Sequence, residues 1–199
     1  MITVVISALI LSSPLPPTFC PIGGEASSDK VSTVDYAGVR YAFCCDGCPD
    51  KFAKDPAGSL KTSKAKGKVL GTFLFDPVSH KRIEMAAAKG GYVDYNGVRY
   101  LFSSSSNKAK FSKAKAAYAA VPAKEALMCP VAKERINGYT LAYAYKDVAG
   151  VRYYVCCGDC WPKFNANPAK YVANAAKAIS APMTQMLKPG EIPPSECKE

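Results

Sequence analysis

The chain has 199 residues, a formal net charge of +10, nine cysteines and a single histidine. One imidazole leaves a serine or cysteine hydrolase without its usual base, and no phosphate-cradling glycine motif or well-spaced carboxylate pair takes its place. Charge is unevenly shared: residues 1–60 carry four Lys/Arg against six Asp/Glu, residues 61–120 twelve against three, and residues 121–199 ten against seven.

Residues 1–19 open with an apolar run, MITVVISALIL, followed by a Ser/Pro stretch. The run suits a signal-peptide core and is too short for a spanning helix, but no Lys or Arg precedes it. Two readings stand. As a signal it places the mature chain outside the cytoplasm, in a periplasm or beyond; as an N-terminal arm it packs on the rest of the protein or on another subunit, and the chain is cytoplasmic. Pro17-Thr18-Phe19 before Cys20 does not form a lipoprotein cleavage box.

Residues 20–62 begin with Cys20-Pro21-Ile22 and run to VRYAFCCDGCPDKF at 39–52. The glycine of Ala37-Gly38 predicts a hairpin turn, which delivers Cys44, Cys45 and Cys48 to the start of a short helix over 49–56, ended near Pro56. Thiols at a helix N-terminus are acidified and become better ligands or nucleophiles.

The same plan recurs over 72–120. Asp76-Pro77-Val78 stands where Cys20-Pro21-Ile22 stood, Asn96-Gly97 gives the strongest hairpin signal, and VRYLFSSSSNKAKF at 98–111 puts Ser103 and Asn107 where cysteines are expected. This segment has no thiol, so an aromatic core of Phe75, Tyr92, Tyr95, Tyr100, Phe102, Phe111 and Tyr118 is expected to hold it. His80, beside Lys81 and Arg82, reads as a solvent-facing loop residue. The lysine runs at 61–68 and 107–118 alternate with Ala and Ser, as solvated linkers and helix faces do. They suit an acidic protein partner better than nucleic acid.

The third copy, 127–175, has Cys129-Pro130-Val131, a hairpin glycine at Ala149-Gly150, and VRYYVCCGDCWPKF at 151–164 with Cys156, Cys157 and Cys160. Residues 169–181 read as a longer helix, and 176–199 as its end plus a loose Pro-rich tail carrying the odd thiol, Cys197. The Cys/Asp-Pro segments are offset by 56 and 53 residues and the VRY motifs by 59 and 53, so repetition governs the architecture. Each segment is marginal as an isolated fold. The expected class is α+β: three small units in tandem, each a β-hairpin plus a short helix, packed together. Tyr36, Tyr41, Phe43, Tyr95, Tyr100, Phe102, Tyr145, Tyr153 and Tyr154 alternate along strands and read as small cores, not base-stacking platforms.

The pattern Cys20-Pro, Phe43-Cys44-x-x-x-Cys48, Lys51-Phe52 and Asp55-Pro56 resembles the YHS domain and the related TRASH domains of heavy-metal trafficking and sensing. The third unit is similar at Cys129-Pro130-Val131, Cys156-x-x-x-Cys160, Lys163-Phe164 and Asn167-Pro168, and the middle unit resembles a cysteine-poor variant. The resemblance implies treble-clef-like units in which Cys20, Cys44 and Cys48 ligate one ion and Cys129, Cys156 and Cys160 another. It also implies a non-catalytic role in metal handling or as accessory subunit of a larger metalloprotein assembly.

Cys45 and Cys157 are additional to that pattern. Either could contribute a further ligand, although adjacent cysteines make an awkward chelate. An all-thiolate site selects Zn(II), then Cu(I), or an iron–sulfur centre over hard ions. The alternative is an exported, disulfide-stapled interaction protein without metal, with pairs such as Cys20–Cys45, Cys129–Cys157 and Cys44–Cys48 and with Cys156 and Cys160 similarly engaged. A redox-catalytic C-x-x-C is a third option, but no thioredoxin-like strand–helix alternation surrounds it.

Overall fold

The computed structural model describes residues 15–191; the apolar N-terminal run and Cys197 lie outside them. Within these bounds the protein is mixed α and β, with two sheets. The first hairpin joins β1 (Thr33–Tyr36) to β2 (Val39–Tyr41), followed by α1 (Gly47–Lys54) and α2 (Pro56–Lys61). Next come β3 (Gly71–Phe73), the hairpin of β4 (Gly91–Tyr95) and β5 (Val98–Phe102), then α3 (Ser105–Lys113) and α4 (Lys115–Tyr118). The last third contains β6 (Lys124–Ala126), the hairpin of β7 (Ala144–Val148) and β8 (Val151–Val155), α5 (Cys160–Ala166), and the short strands β9 (Ile179–Ser180) and β10 (Thr184–Leu187).

All three hairpins turn on two residues of positive φ: Ala37 and Gly38 at 53° and 76°, Asn96 and Gly97 at 48° and 77°, Ala149 and Gly150 at 49° and 78°. Two successive left-handed residues match the right-handed twist of the flanking strands, which is why glycine recurs at the second position. The register that follows sets Asp35 opposite Arg40, Asp94 opposite Arg99 and Asp147 opposite Arg152. Each arginine donates two hydrogen bonds to the carboxylate across from it, at 2.8–3.1 Å. The recurring D-x-[AN]-G-V-R is therefore a turn clamped by a two-point ion pair.

After each hairpin the chain turns into a helix whose one buried aromatic, Phe52, Phe111 or Phe164, is fully inaccessible. Its ring packs on the tyrosine of the preceding VRY: Phe52 on Tyr41 at 4.8 Å between centroids, Phe111 on Tyr100 at 4.9 Å, Phe164 on Tyr153 at 6.0 Å. Such pairs contribute about 0.5–1.5 kcal/mol beyond the area they bury. In the middle segment Phe75, Tyr100, Phe102 and Phe111 form the core, whereas Tyr92, Tyr95 and Tyr118 are only partly covered.

The sheets join segments that the sequence presents as separate. One has the order β10-β1-β2-β3-β5-β4 and the other β7-β8-β6-β9. The entry strands β3 and β6, unforeseen in the sequence, lie parallel to β5 and β8, and β3 also pairs with β2. Three corrections concern the ends of elements. Pro56 does not merely end a helix: Asp55 accepts from Gly58 N and Pro56 opens α2, because a proline lacks only the N–H that a first turn leaves unbonded anyway. Residues 168–178 form 3₁₀ turns in place of the expected longer helix. The tail is not loose throughout, since β10 pairs with β1 over four residues and Leu187 is buried.

His80 is also corrected. It is half-buried, and its ring stacks on Tyr145 at 5.0 Å and 11° with Trp161 beside it. Its carbonyl accepts from Tyr145 N, alongside Arg82 N on Tyr143 O, so the segment ties the middle of the chain to the last third. Burial pushes the imidazole below its ordinary pKa, which outweighs the nearby Asp147 charge. By contrast Lys61, Lys64, Lys66, Lys68, Lys110 and Lys113 are solvent-exposed, as the alternating runs implied.

Ala149 is exposed and holds φ 49°, a conformation costly for alanine and mild for asparagine. Ala149→Asn is expected to stabilise the fold by about 1 kcal/mol, read as a higher midpoint in urea with unchanged slope.

Candidate metal centres

A single turn appears three times, at residues 20–25, 76–81 and 129–134. The N–H of the first residue donates to the carbonyl of the sixth: Cys20 to Glu25, Asp76 to Lys81, Cys129 to Glu134. The N–H of the fifth returns to the carbonyl of the first, with φ of 89°, 65° and 62° at Gly24, His80 and Lys133. The N–H of the fourth, Gly23, Ser79 or Ala132, donates to the first residue's own side chain. The turn thus holds one sulfur or carboxylate fixed, aimed at the end of the hairpin's second strand and the start of the helix.

In the middle segment these three points carry Asp76, Ser103 and Asn107, joined by hydrogen bonds. Asp76 Oδ2 accepts from Ser103 N at 2.9 Å, Ser103 Oγ at 2.6 Å and Asn107 Nδ2 at 2.7 Å, and Oδ1 accepts from Val78 N and Ser79 N. Burial works against the charge, but the donors from Ser103, Asn107 and Val78 outweigh it and hold the carboxyl below its ordinary range.

In the outer segments the same positions are all cysteine. Cys20, Cys44 and Cys48 bring their sulfurs within 4.8 Å of one another, as do Cys129, Cys156 and Cys160. The first and third members are buried, at 0% and 3% exposure in one set and 0% and 7% in the other, and the middle member is partly exposed. A zinc–thiolate bond of about 2.3 Å requires sulfurs about 3.8–4.0 Å apart; Cys156 and Cys160 stand at 3.9 Å. The donor set and spacing fit a thiophilic ion with one position left for a fourth ligand.

Electrostatics at the first set points the same way. Burial disfavours a charge on Cys20, but donors from Gly23, Cys44 and Ile22 outweigh it and hold this thiol below its ordinary pKa. Cys44 is pushed up, first by desolvation and then by Cys20 beside it. In the other set burial and the neighbouring sulfurs push Cys156 and Cys160 up. At the first corner one thiol is thus held low while its neighbour is pushed up.

Gly23 closes the first site. A Cβ placed there would collide with Cys44 Sγ and lie 3.6 Å from Cys20 Sγ and 3.9 Å from Cys48 Sγ. The third segment has Ala132 at this position, so the two sites are not equally roomy.

The adjacent cysteines behave differently from the triads. The expected pairs Cys20–Cys45 and Cys44–Cys48 do not form; Cys45 is bonded to Cys48. Cys44 follows the strand inward toward Cys20, whereas exposed Cys45 sits three residues before Cys48 at a Cα separation of 5.5 Å, inside the range a disulfide spans. The third segment carries no Cys129–Cys157 bridge, and its cysteines are thiols. Cys157 instead has a side-chain hydrogen bond with Cys160, which together with backbone donors outweighs burial and lowers its pKa.

Compared with known proteins, the chain matches no family model, no curated protein and no solved structure. Sequence reasoning found every member of both triads but missed two things. One is Asp76 as the hydrogen-bonding centre of the middle corner, for which its alignment with Cys20 and Cys129 was the available signal. The other is the Asp–Arg clamp, written in the thrice-repeated D-x-[AN]-G-V-R.

Two outcomes follow. Asp76→Asn should cost about 2 kcal/mol or more at neutral pH, since it removes a charge that accepts five hydrogen bonds. A depressed carboxyl pKa stabilises the fold fully above the unfolded value and loses that contribution as pH falls through the native one. The gap in stability between wild type and Asp76→Asn should therefore narrow as pH falls below about 4. Urea unfolding of both proteins at several pH values checks both points. Gly23→Ala should selectively weaken the first site, lowering the thiophilic metal held by the dithiol-reduced chain by about one ion while the third segment stays loaded; elemental analysis reads this directly.

Proposed function

We propose that the protein is a non-catalytic metal-binding protein that carries one thiophilic ion on Cys20, Cys44 and Cys48 and a second on Cys129, Cys156 and Cys160. The observation that carries this reading is the exchange at the middle corner. Where the chain has Asp76, Ser103 and Asn107, strong hydrogen bonds to one carboxylate bind the three points together; where it has three cysteines, the sulfurs lie within 4.8 Å of one another. A thiol is a weak donor, and an ion shared by the three sulfurs would hold them more firmly than such contacts do.

The resemblance to YHS and TRASH domains supports the same reading, as does ligand softness: three thiolates favour Zn(II), then Cu(I). Three protein ligands leave a position for an exchangeable fourth, which suits carriage or sensing better than a closed structural site. The lysine-rich surface of the middle segment is the face offered to an acidic or larger protein partner. Among the described residues no helix is long and apolar enough to cross a membrane.

One observation favours a second reading. The Cys45–Cys48 disulfide suits an exported chain, stapled and metal-free, because oxidising compartments stabilise such bonds.

The deciding experiment is elemental analysis of the full chain, reduced with a dithiol and desalted without oxygen, in the wild type, Cys44→Ser and Cys160→Ser. The metal reading expects about two ions in the wild type and about one in each variant. Equal metal in all three proteins would sink it. Under the second reading no form holds stoichiometric metal, and reduction alone lowers the melting temperature.

A further inference from the structure

The triads do not explain why each carries a fourth cysteine, and the disulfide lies on Cys48, a triad member, instead of beside the triad. A sulfur bonded to another sulfur is not a thiolate, and the thiolate is the metal ligand. The Cys45–Cys48 bond and a three-sulfur site at Cys20, Cys44 and Cys48 are therefore mutually exclusive states of the same residues.

We infer that Cys45, and Cys157 at the other site, is a redox gate: its disulfide with Cys48 or Cys160 withdraws the third ligand and empties the site, and its reduction restores the site. The inference rests on the metal reading given above and adds its regulation.

Three features support it. Cys45 is exposed while Cys48 is buried at 3%, so an incoming thiolate reaches Cys45 first and Cys48 is the leaving group. That leaving group sits in the first turn of α1, where the helix dipole favours a thiolate. In the third segment Cys157 precedes Cys160, the first residue of α5, by the same three-residue step that separates Cys45 from Cys48.

The step balances with a dithiol as reductant. One of its thiolates attacks Cys45 Sγ, forming a mixed disulfide and expelling Cys48 as thiolate. Its second thiol then displaces Cys45 and closes the reductant into a cyclic disulfide. Two electrons and two protons pass to the protein, and the arriving ion displaces the protons from the thiols it binds. Oxidation by a small disulfide runs the sequence backwards and releases the ion.

The test uses Cd(II) as a soft probe, followed by its ultraviolet thiolate charge-transfer band and by cadmium per chain after desalting. Full-length wild type, Cys45→Ser, Cys45→Ala and Cys157→Ser are each examined after dithiol reduction and again after graded addition of a small-molecule disulfide. Reduced wild type should take up about two Cd(II) and lose both on oxidation. Cys45→Ser and Cys45→Ala should retain about one ion at oxidant doses that empty the wild type, and Cys157→Ser should retain the other.

Release from the Cys45 and Cys157 variants at wild-type doses would overturn the gate and leave the metal reading standing. Absence of Cd(II) from the reduced wild type, with circular dichroism showing it folded, would overturn both.

Discussion

Each third of this chain depends on tying together three points that belong to different elements: a tight turn, the end of a strand and the first turn of a helix. None of the three elements is long enough to hold its place alone. In the middle segment the tie is one carboxylate, Asp76, whose two oxygens collect donors from Val78, Ser79, Ser103 and Asn107. Sulfur cannot do the same work by hydrogen bonding. The outer corners instead bring three sulfurs together, a set that could hold a metal ion; in one of them Cys48 is bonded to Cys45, and in the other the cysteines are thiols.

Around these corners the frame does not vary. The two-residue turn sets the register, the register sets an aspartate against an arginine, and the next residue of the strand is the tyrosine on which the helix phenylalanine rests. Arg152, like Arg99, is buried. It is clamped by Asp147 and lies over the Tyr145 ring at 4.1 Å, where a bare charge would be expensive. The same frame presents Asp-Ser-Asn at the middle corner and three cysteines at each outer one.

Much of this was legible in the sequence because it is local. The Ala-Gly and Asn-Gly turns and the short helices after the hairpins follow from spacings repeated three times, and the membership of both triads is what the resemblance to YHS and TRASH domains implies. What was not legible is long-range. Nothing local in Thr184-Gln185-Met186-Leu187 announces a partner more than a hundred residues earlier, and the parallel pairing of β3 and β6 arises only once the hairpins exist. His80 looked like a loop residue because its sequence neighbours are cations, whereas the aromatic that covers it, Tyr145, comes from a distant hairpin. The choice of Cys45 over Cys44 as the disulfide partner of Cys48 depends on side-chain direction at a strand end, which spacing alone does not give.

The pairing of β10 with β1 has a consequence for how the molecule is made. Until residues 184–187 have been synthesised, β1 is the outer strand of its sheet, with one row of backbone donors and acceptors unsatisfied and with Val34 and Tyr36 in its sequence. An open edge of that kind is a template for pairing with another chain. The nascent protein therefore spends most of its synthesis with a sticky border that only a late segment of its own polypeptide seals, and every cysteine of the two triads emerges before that seal is in place.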